Sequence, residues 1–99
     1  MSTGNSINSH SIERVLLIDD DRFSLQVMRM TLEKAGITVE AFSDPLKGLE
    51  TLKKQPKSYF SCVITDYQMP EIDGIEITRE TKSFDPCLGT IMITAIEEQ

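Results

Sequence analysis

Acidic side chains follow two apolar segments of this sequence, at the point where each segment ends. Residues 15–18 (VLLI) are followed directly by the acids 19–21, and the mainly apolar residues 60–65 are followed by Asp66. Carboxylates held close together repel one another, and their pKa values rise unless a cation is present. Mg²⁺ is the natural candidate, because it binds oxygen ligands and leaves room for phosphate oxygens. A carboxylate can also attack phosphorus and form an acyl phosphate.

The apolar pattern around these acids predicts strands that alternate with helices. The strands are predicted at 15–18, 38–42, 60–65 and 90–94, and the helices at 24–35, 45–55 and 74–84, while 95–99 are compatible with the start of a further helix. Such alternation through short loops implies right-handed crossovers and a parallel sheet. The ligand site of a parallel sheet lies beyond the carboxyl ends of its strands. We therefore expect Asp19, Asp20, Asp66 and Thr94 at one edge of the sheet.

The helices are predicted to present apolar faces to this sheet. The positions expected to face the core are Leu25, Met28, Leu32 and Ala35 in the first helix and Leu46, Leu49 and Leu52 in the second. Gly36 is expected to end the first helix. The apolar face of the third helix is weak, because Ile75 is followed by Thr78 and Thr81 at helical spacing.

Several chemically capable residues have simpler structural explanations. Asp21 and Asp73 precede predicted helices, where Asp is common as a cap, so we expect both to be structural. Cys62 lies in an apolar run and is expected in the core, whereas Cys87 lies in a loop and is expected to be exposed. Two cysteines are too few for a disulfide framework, and their spacing is not that of a metal site.

Composition bounds the remaining possibilities. A chain of 99 residues is at most one domain. Its net charge of −6 argues against nucleic-acid binding, which needs clustered Lys and Arg. No apolar stretch approaches the ~18 residues of a membrane span, and we expect no membrane partner. The polar N-terminus lacks the apolar core of a signal peptide, so we predict a cytoplasmic location, with residues 1–11 as a disordered leader.

Three segments together resemble the receiver domain of bacterial two-component response regulators, the CheY-like family. They are LLIDDDRFS, VITDYQMPEIDG and IMITA, and the resemblance runs over about residues 12–99. The spacing Asp-x-x-Met-Pro-x-x-Asp-Gly at 66–74 is its most diagnostic part. The resemblance implies an α/β fold, a flavodoxin-like doubly wound parallel sheet. Its strand order would be 2-1-3-4, and the family's fifth strand and last helix have no counterpart in this chain.

The resemblance also implies roles for individual residues. Asp66 would be the phosphoacceptor and Thr94 the switch hydroxyl. Asp20 and Asp66 would bind Mg²⁺ directly, together with the backbone carbonyl of Gln68, and Asp19 would act through a metal-bound water. The donor would be a phosphohistidine of a sensor histidine kinase or histidine phosphotransfer protein. Phosphorylation would switch contacts with a partner or with an output domain of the full-length protein.

The chain departs from the family pattern at its C-terminal side. The family carries a Lys beyond the position of Gln99 that pairs with the phosphoryl group, and neither Lys57 nor Lys82 is placed to replace it. Without a fifth strand, the fourth strand would be an exposed sheet edge. We therefore expect a C-terminally incomplete receiver that is part of a longer protein, or one that pairs or exchanges elements between two copies.

Two alternatives to a phosphoacceptor remain at this stage. One is a degenerate receiver that acts as an interaction module without phosphorylation. The other is a haloacid-dehalogenase-like phosphatase, which also uses a strand-end Asp and Mg²⁺. That family requires Asp-x-Asp followed by Thr or Val, whereas Arg22 and Phe23 follow the acids here. The favoured prediction is a signalling domain whose own chemistry is limited to self-catalysed phosphoryl transfer.

Overall fold

The computed structural model describes residues 12–94 as strands and helices in strict alternation. The elements are β1 Arg14–Ile18, α1 Arg22–Lys34, β2 Thr38–Phe42, α2 Pro45–Lys54, β3 Cys62–Asp66, α3 Gly74–Phe84 and β4 Gly89–Ile93. The predicted leader at 1–11 and the possible helix start at 95–99 lie outside the described residues. Within residues 12–94, none of the helices has both the length and the apolar character needed to cross a bilayer.

The sheet has the order β2-β1-β3-β4, and each neighbouring pair is parallel. This order confirms the predicted doubly wound α/β fold. The direction of winding changes between β1 and β3, since the chain goes from β1 outward to β2 and then returns to the other side of β1. In open sheets of this kind, the crevice at the change of direction is where ligands bind.

Core packing occurs on both faces of the central strands. All four residues 15–18 of β1 are buried, as predicted for a strand covered on both sides. On one face, Val15, Leu17, Cys62 and Ile64 pack against α1. On the other face, Leu16, Ile18 and Val63 pack against residues of α2 and α3. The central strands are therefore held rigidly, and their carboxyl ends are fixed relative to one another.

The first helix begins two residues earlier than predicted, because Asp21 caps it through the Ser24 amide. Its apolar positions Leu25, Met28 and Leu32 pack against the sheet as expected. Ala35 was expected on that face, but it is exposed. The helix ends at Lys34, with Ala35 as its C-cap, and the chain turns at Gly36 with φ of +88°.

The second helix presents a different face to the core from the one predicted at its start. Leu49 and Leu52 are buried, but Leu46 is 52% exposed. The buried positions in the first turns are Pro45 and Gly48 instead. A Cβ at Gly48 would lie 2.8 Å from the Cδ1 atom of Ile18, so the helix packs closely against β1 there and Ile18 would have to shift to admit a larger side chain.

The third helix was predicted to have a weak apolar face containing Ile75, but this was wrong, because the apolar residue that it buries is Ile77. Ile77 is completely buried, together with Gly74 and Thr81, whereas Ile75 is 43% exposed. Thr81 was expected on the inner face and is buried, so the observed face differs from the expected one in containing Gly74 and Ile77 instead of Ile75 and Thr78. Docking of the Gly74 end against β3 decides which face turns inward.

The bounds of β3 and β4 differ slightly from prediction. β3 begins at Cys62 rather than at residue 60 and includes Asp66 as its last residue, while β4 ends at Ile93, so Thr94 directly follows it. β2 is one of the two edge strands of the described sheet, and β4 is the other. Its residues Ile91, Met92 and Ile93 are 37–48% exposed.

We predict that Ile77→Ala lowers the free energy of unfolding by about 2–5 kcal/mol, because it removes a fully buried side chain of α3 that packs in one core cluster with residues of α2 and the sheet. Ile75→Ala, on the same helix, is the matched control and should change it by less than about 1 kcal/mol. Urea unfolding followed by circular dichroism measures both. Equal losses for the two variants would contradict the assigned helix face.

Candidate functional site

Three carboxylates meet at the carboxyl edge of the two central strands. Asp19 and Asp20 directly follow β1, and Asp66 is the last residue of β3. One carboxylate oxygen from each of the three lies within 4.8 Å of the others. The predicted convergence is therefore confirmed, although Asp66 lies more than forty positions along the chain from Asp20. This arrangement offers several hard oxygen ligands to one cation.

Local hydrogen bonds hold the segment that follows β1. The Asp19 amide donates to the Phe42 carbonyl at 3.1 Å, and the Asp21 amide donates to Oδ1 of Asp19 at 3.0 Å. The Asp21 carboxylate accepts hydrogen bonds from the amide and hydroxyl of Ser24, at 3.3 and 2.5 Å. These bonds lower the pKa of Asp21. Asp21 is thus occupied as a helix cap, which confirms its predicted structural role.

The electrostatics of Asp19 differ from those of Asp21. Partial burial raises the pKa of Asp19, and the neighbouring charges of Asp66, Asp20 and Asp21 raise it further. The hydrogen bond from the Asp21 amide acts in the opposite direction but does not offset them. The cluster therefore carries an electrostatic cost that a bound cation would relieve.

The loop between β3 and α3 forms one wall of the site. The Tyr67 amide donates to the Ile93 carbonyl of β4 at 2.8 Å, and the Gly74 amide donates to the Tyr67 carbonyl at 2.7 Å. Asp73 caps α3 by accepting from the Glu76 amide at 2.9 Å, as predicted. An open cavity of about 510 Å³ lies against this loop, lined by Asp20, Tyr67, Gln68, Met69, Pro70 and Asp73.

Comparison with known proteins agrees with this geometry. The sequence model described as "Response regulator receiver domain" matches residues 15–99, nearly the whole chain. The chain belongs to this receiver family. The response regulator receiver protein CpdR of Brucella abortus is 39% identical over 83 residues, which are 84% of this chain and 67% of CpdR.

Other relatives extend the same result. The C4-dicarboxylate transport transcriptional regulatory protein DctD of Rhizobium meliloti is 39% identical over 80 residues, which are 81% of this chain but 17% of DctD. A crystal structure of a response regulator receiver domain protein from Clostridium thermocellum superposes with a TM-score of 0.79 at 32% identity. That match covers 84% of this chain and 65% of that one. The match thus spans from about a sixth to about two thirds of these three proteins.

Two other predicted site residues take different positions in the receiver. Gln68 lines the same cavity as Asp20 and is exposed. Thr94 is exposed after β4 and borders a separate cavity of about 200 Å³ with Tyr67 and Met92. Tyr67 borders both cavities. The structure therefore brings the three acids together, places Gln68 in one cavity with Asp20, and leaves Thr94 beside Tyr67.

Neither lysine discussed above reaches the acids. The Lys82 Nζ donates to the Leu88 carbonyl at 2.8 Å, near the amino end of β4. The Lys57 Nζ lies 5.8 Å from the centre of the Phe84 ring. The prediction that these two residues do not replace the family's lysine is therefore confirmed.

Sequence reasoning missed Thr65 as a residue of the site. Its side chain is completely buried, and its hydroxyl donates to the Asp66 carbonyl oxygen at 3.0 Å. The available signal was a hydroxyl residue inside an apolar strand, immediately before the acid. Gly74 was also missed, although a Cβ at this position would lie 2.6 Å from the same Asp66 oxygen.

We predict that Asp19→Asn stabilises the metal-free receiver at neutral pH. The raised pKa of Asp19 means that its charged form is disfavoured in the folded chain. This penalty is fully present above the folded-state pKa and disappears below the ordinary value of 3.8. Asn retains the oxygen that accepts from the Asp21 amide, so the substitution should remove the charge without losing that bond.

Urea unfolding in EDTA, measured from neutral to acidic pH, tests this prediction. The midpoint of Asp19→Asn should exceed that of the native chain at pH 7, and the difference should shrink as the pH falls towards 3.8. Glu33→Gln on the exposed side of α1 makes the same change in charge and is the control. A difference that persists at low pH, or an equal one for Glu33→Gln, would contradict the assigned cause.

Proposed function

We propose that this receiver accepts a phosphoryl group on Asp66 in a Mg²⁺-dependent reaction, within two-component signalling. The observation that carries the proposal is the approach of Asp19, Asp20 and Asp66 to within 4.8 Å at the edge of the sheet. Asp66 ends a strand that is otherwise buried and is itself partly exposed, so a donor protein can approach it from outside.

The donor set fits Mg²⁺. Its members are carboxylates and, by family resemblance, the Gln68 carbonyl, and all are hard oxygen ligands. Asp20 and Asp66 would bind the ion directly, and Asp19 would hold one of its waters. The raised pKa of Asp19 in the metal-free cluster supports a cation in this place. When bound, the ion neutralises charge on the carboxylates and on the transferring phosphoryl oxygens.

The proposed transfer is a displacement at phosphorus. A carboxylate oxygen of Asp66 forms a bond to the phosphorus of a phosphohistidine, and the phosphorus–nitrogen bond breaks. The electron pair of that bond stays on the imidazole nitrogen, which takes up a proton from water. The product is an acyl phosphate on Asp66. The chain's own contribution is to hold the nucleophile and the neighbouring acids in position, which is the main requirement of phosphoryl transfer.

The signal would leave the site through β4. Thr94 directly follows this strand, and the Tyr67 amide beside the acid is bonded to the Ile93 carbonyl. We infer that the Thr94 hydroxyl turns towards a phosphoryl group on Asp66 and hydrogen-bonds it. That movement would alter the exposed end of β4 and bias the surface that a partner reads.

The partners belong to the same proposal. The donor would be a sensor histidine kinase or a histidine phosphotransfer protein, and a longer protein would supply an output domain. DctD supports the second point, because the matched receiver is 17% of that transcriptional regulator. We also propose that the domain acts in the cytoplasm and does not itself bind nucleic acid or a membrane. The net charge of −6 supports the lack of nucleic-acid contact.

Association through β4 also remains a prediction. Its outer backbone groups pair with no other strand among residues 12–94, and Ile91, Met92 and Ile93 are partly exposed. An edge of this kind favours strand pairing or exchange of elements between two copies.

The competing function within the receiver family is the degenerate interaction module. Receivers are signalling domains rather than ordinary enzymes, and the match of residues 15–99 to that family leaves no support for the phosphatase. The degenerate module differs from our proposal in one respect, which is the absence of an acyl phosphate on Asp66. An assay for that adduct therefore distinguishes the two.

We expect the chain to form an acid-stable, base-labile adduct at Asp66 when it is incubated with Mg²⁺ and acetyl phosphate. Intact mass should rise by one phosphoryl group, and peptide mapping should locate it. The adduct should be lost in EDTA and in Asp66→Asn. Asp85→Asn, which changes an acid at the end of α3, is the matched control and should react normally.

Mg²⁺ affinity, measured by isothermal titration calorimetry, completes the test. The native chain should bind the ion, and Asp66→Asn should lose most of that affinity. Binding without an adduct would support the degenerate module instead. No binding, or binding that Asp66→Asn leaves unchanged, would overturn the metal site itself.

A further inference from the structure

We propose that Thr65 and Gly74 are positioning residues, which hold the peptide group after Asp66 so that its carboxylate and the Gln68 segment are correctly placed. This inference rests on the proposed function, and it identifies what fixes that site from the inside. Both residues act on a single atom, the backbone carbonyl oxygen of Asp66.

Thr65 acts on that oxygen by a hydrogen bond. Its hydroxyl donates at 3.0 Å, and its side chain is completely buried. Its register partners in the adjoining strands are Ile18 and Met92, so the hydroxyl lies in an otherwise apolar row. A buried hydroxyl is costly unless it is hydrogen-bonded. The bond to the Asp66 carbonyl supplies that partner and restrains the carbonyl at the same time.

Gly74 acts on the same oxygen by close contact. A Cβ there would lie 2.6 Å from the Asp66 carbonyl oxygen and 3.0 Å from the Tyr67 Cα. It would also lie 2.9 Å from the Met92 sulfur. Gly74 has no positive φ, so space rather than backbone conformation requires the glycine. Its amide additionally donates to the Tyr67 carbonyl at 2.7 Å.

These contacts matter because the restrained peptide joins the two parts of the proposed metal site. The Asp66 carboxylate precedes it in the chain, and Gln68 follows it by one residue. Backbone atoms cannot yield to an added methyl group as a flexible side chain can, so a Cβ at residue 74 must displace this peptide. Mg²⁺ demands nearly ideal octahedral geometry, and a small displacement of its ligands weakens binding more than it weakens the fold.

Four variants of the 99-residue chain test the proposal. Thr65→Val removes the hydroxyl while keeping the shape, and Thr65→Ser restores the hydroxyl. Gly74→Ala adds the methyl group at the contact. Gly89→Ala adds the same group where the nearest atom, the Cys62 Cβ, is 3.8 Å away, and it is the control.

Mg²⁺ affinity and the rate of reaction with acetyl phosphate should both respond. We expect Thr65→Val to lose about tenfold and Gly74→Ala roughly 10–100-fold in each quantity, which is the usual size of supporting-residue effects. Thr65→Ser should keep both quantities within about threefold of the native values, well short of that loss. Gly89→Ala should give the native values. Unfolding free energies measured in parallel separate a loss of positioning from a loss of fold.

A metal-free measurement separates this proposal from the proposed function. In EDTA, the amide NMR shifts and hydrogen exchange of Tyr67 and Gly74 should change in Thr65→Val and return towards the native values in Thr65→Ser. If the native chain binds no Mg²⁺, the proposed function fails, and these amide signals still decide whether the peptide is restrained.

Two results would overturn the positioning role. One is native Mg²⁺ affinity and reaction rate in both Thr65→Val and Gly74→Ala. The other is equal loss in Thr65→Val and Thr65→Ser, which would mean that the hydroxyl is not responsible. If Gly74→Ala does not fold, the two Thr65 variants still give the answer.

Discussion

Parallel pairing of β1 with β3 is the constraint on which the site depends. Because the strands run in the same direction and in register from Val15 with Cys62 to Ile18 with Thr65, their carboxyl ends reach the same edge together. Each strand ends in an acid, so the pairing forces carboxylates into proximity. Burial of both strands on two faces makes this placement rigid, because neither can shift its register without exposing apolar side chains.

The closeness of these carboxylates is electrostatically unfavourable in the absence of a cation, and the packing of the rest of the domain holds them together. The apolar residues behind the edge supply the stability, while Asp19 shows the cost through its raised pKa. The segments that follow the acids are short and are held by helix caps at Asp21 and Asp73. The chain therefore enters α1 soon after β1 and enters α3 after the loop at 67–73, which leaves the carboxylates between the two loops.

The acid site is in direct contact with the edge strand β4. The Tyr67 amide bonds to the Ile93 carbonyl, and Met92 touches the position where α3 begins. A change around Asp66 therefore meets β4 directly, without an intervening layer of side chains. Within residues 12–94 this strand is also one of the two edges of the sheet, so the exposed apolar residues Ile91, Met92 and Ile93 lie next to the site.

The sequence alone was sufficient for the element order, the parallel sheet and the identity of the acids. Each of these depends on local pattern, since an apolar run followed by Asp marks a strand and its carboxyl end wherever it occurs. The caps at Asp21 and Asp73 were predictable for the same reason. The family resemblance added the expected roles of Gln68, through the motif at 66–74, and of Thr94, through the segment IMITA, which geometry alone would not suggest.

Tertiary structure decided the features that depend on how closely two elements approach. Leu46 and Ile75 were expected to face the core but are exposed, and Ile77 is buried in place of Ile75, because the docking of α2 and α3 on the sheet, rather than apolar spacing, selected the inner face of each helix. Thr65 and Gly74 meet one oxygen atom from different elements, and no spacing in the sequence encodes that contact. Periodicity reports which residues share a face, but the distance between packed elements is a property of the assembled fold.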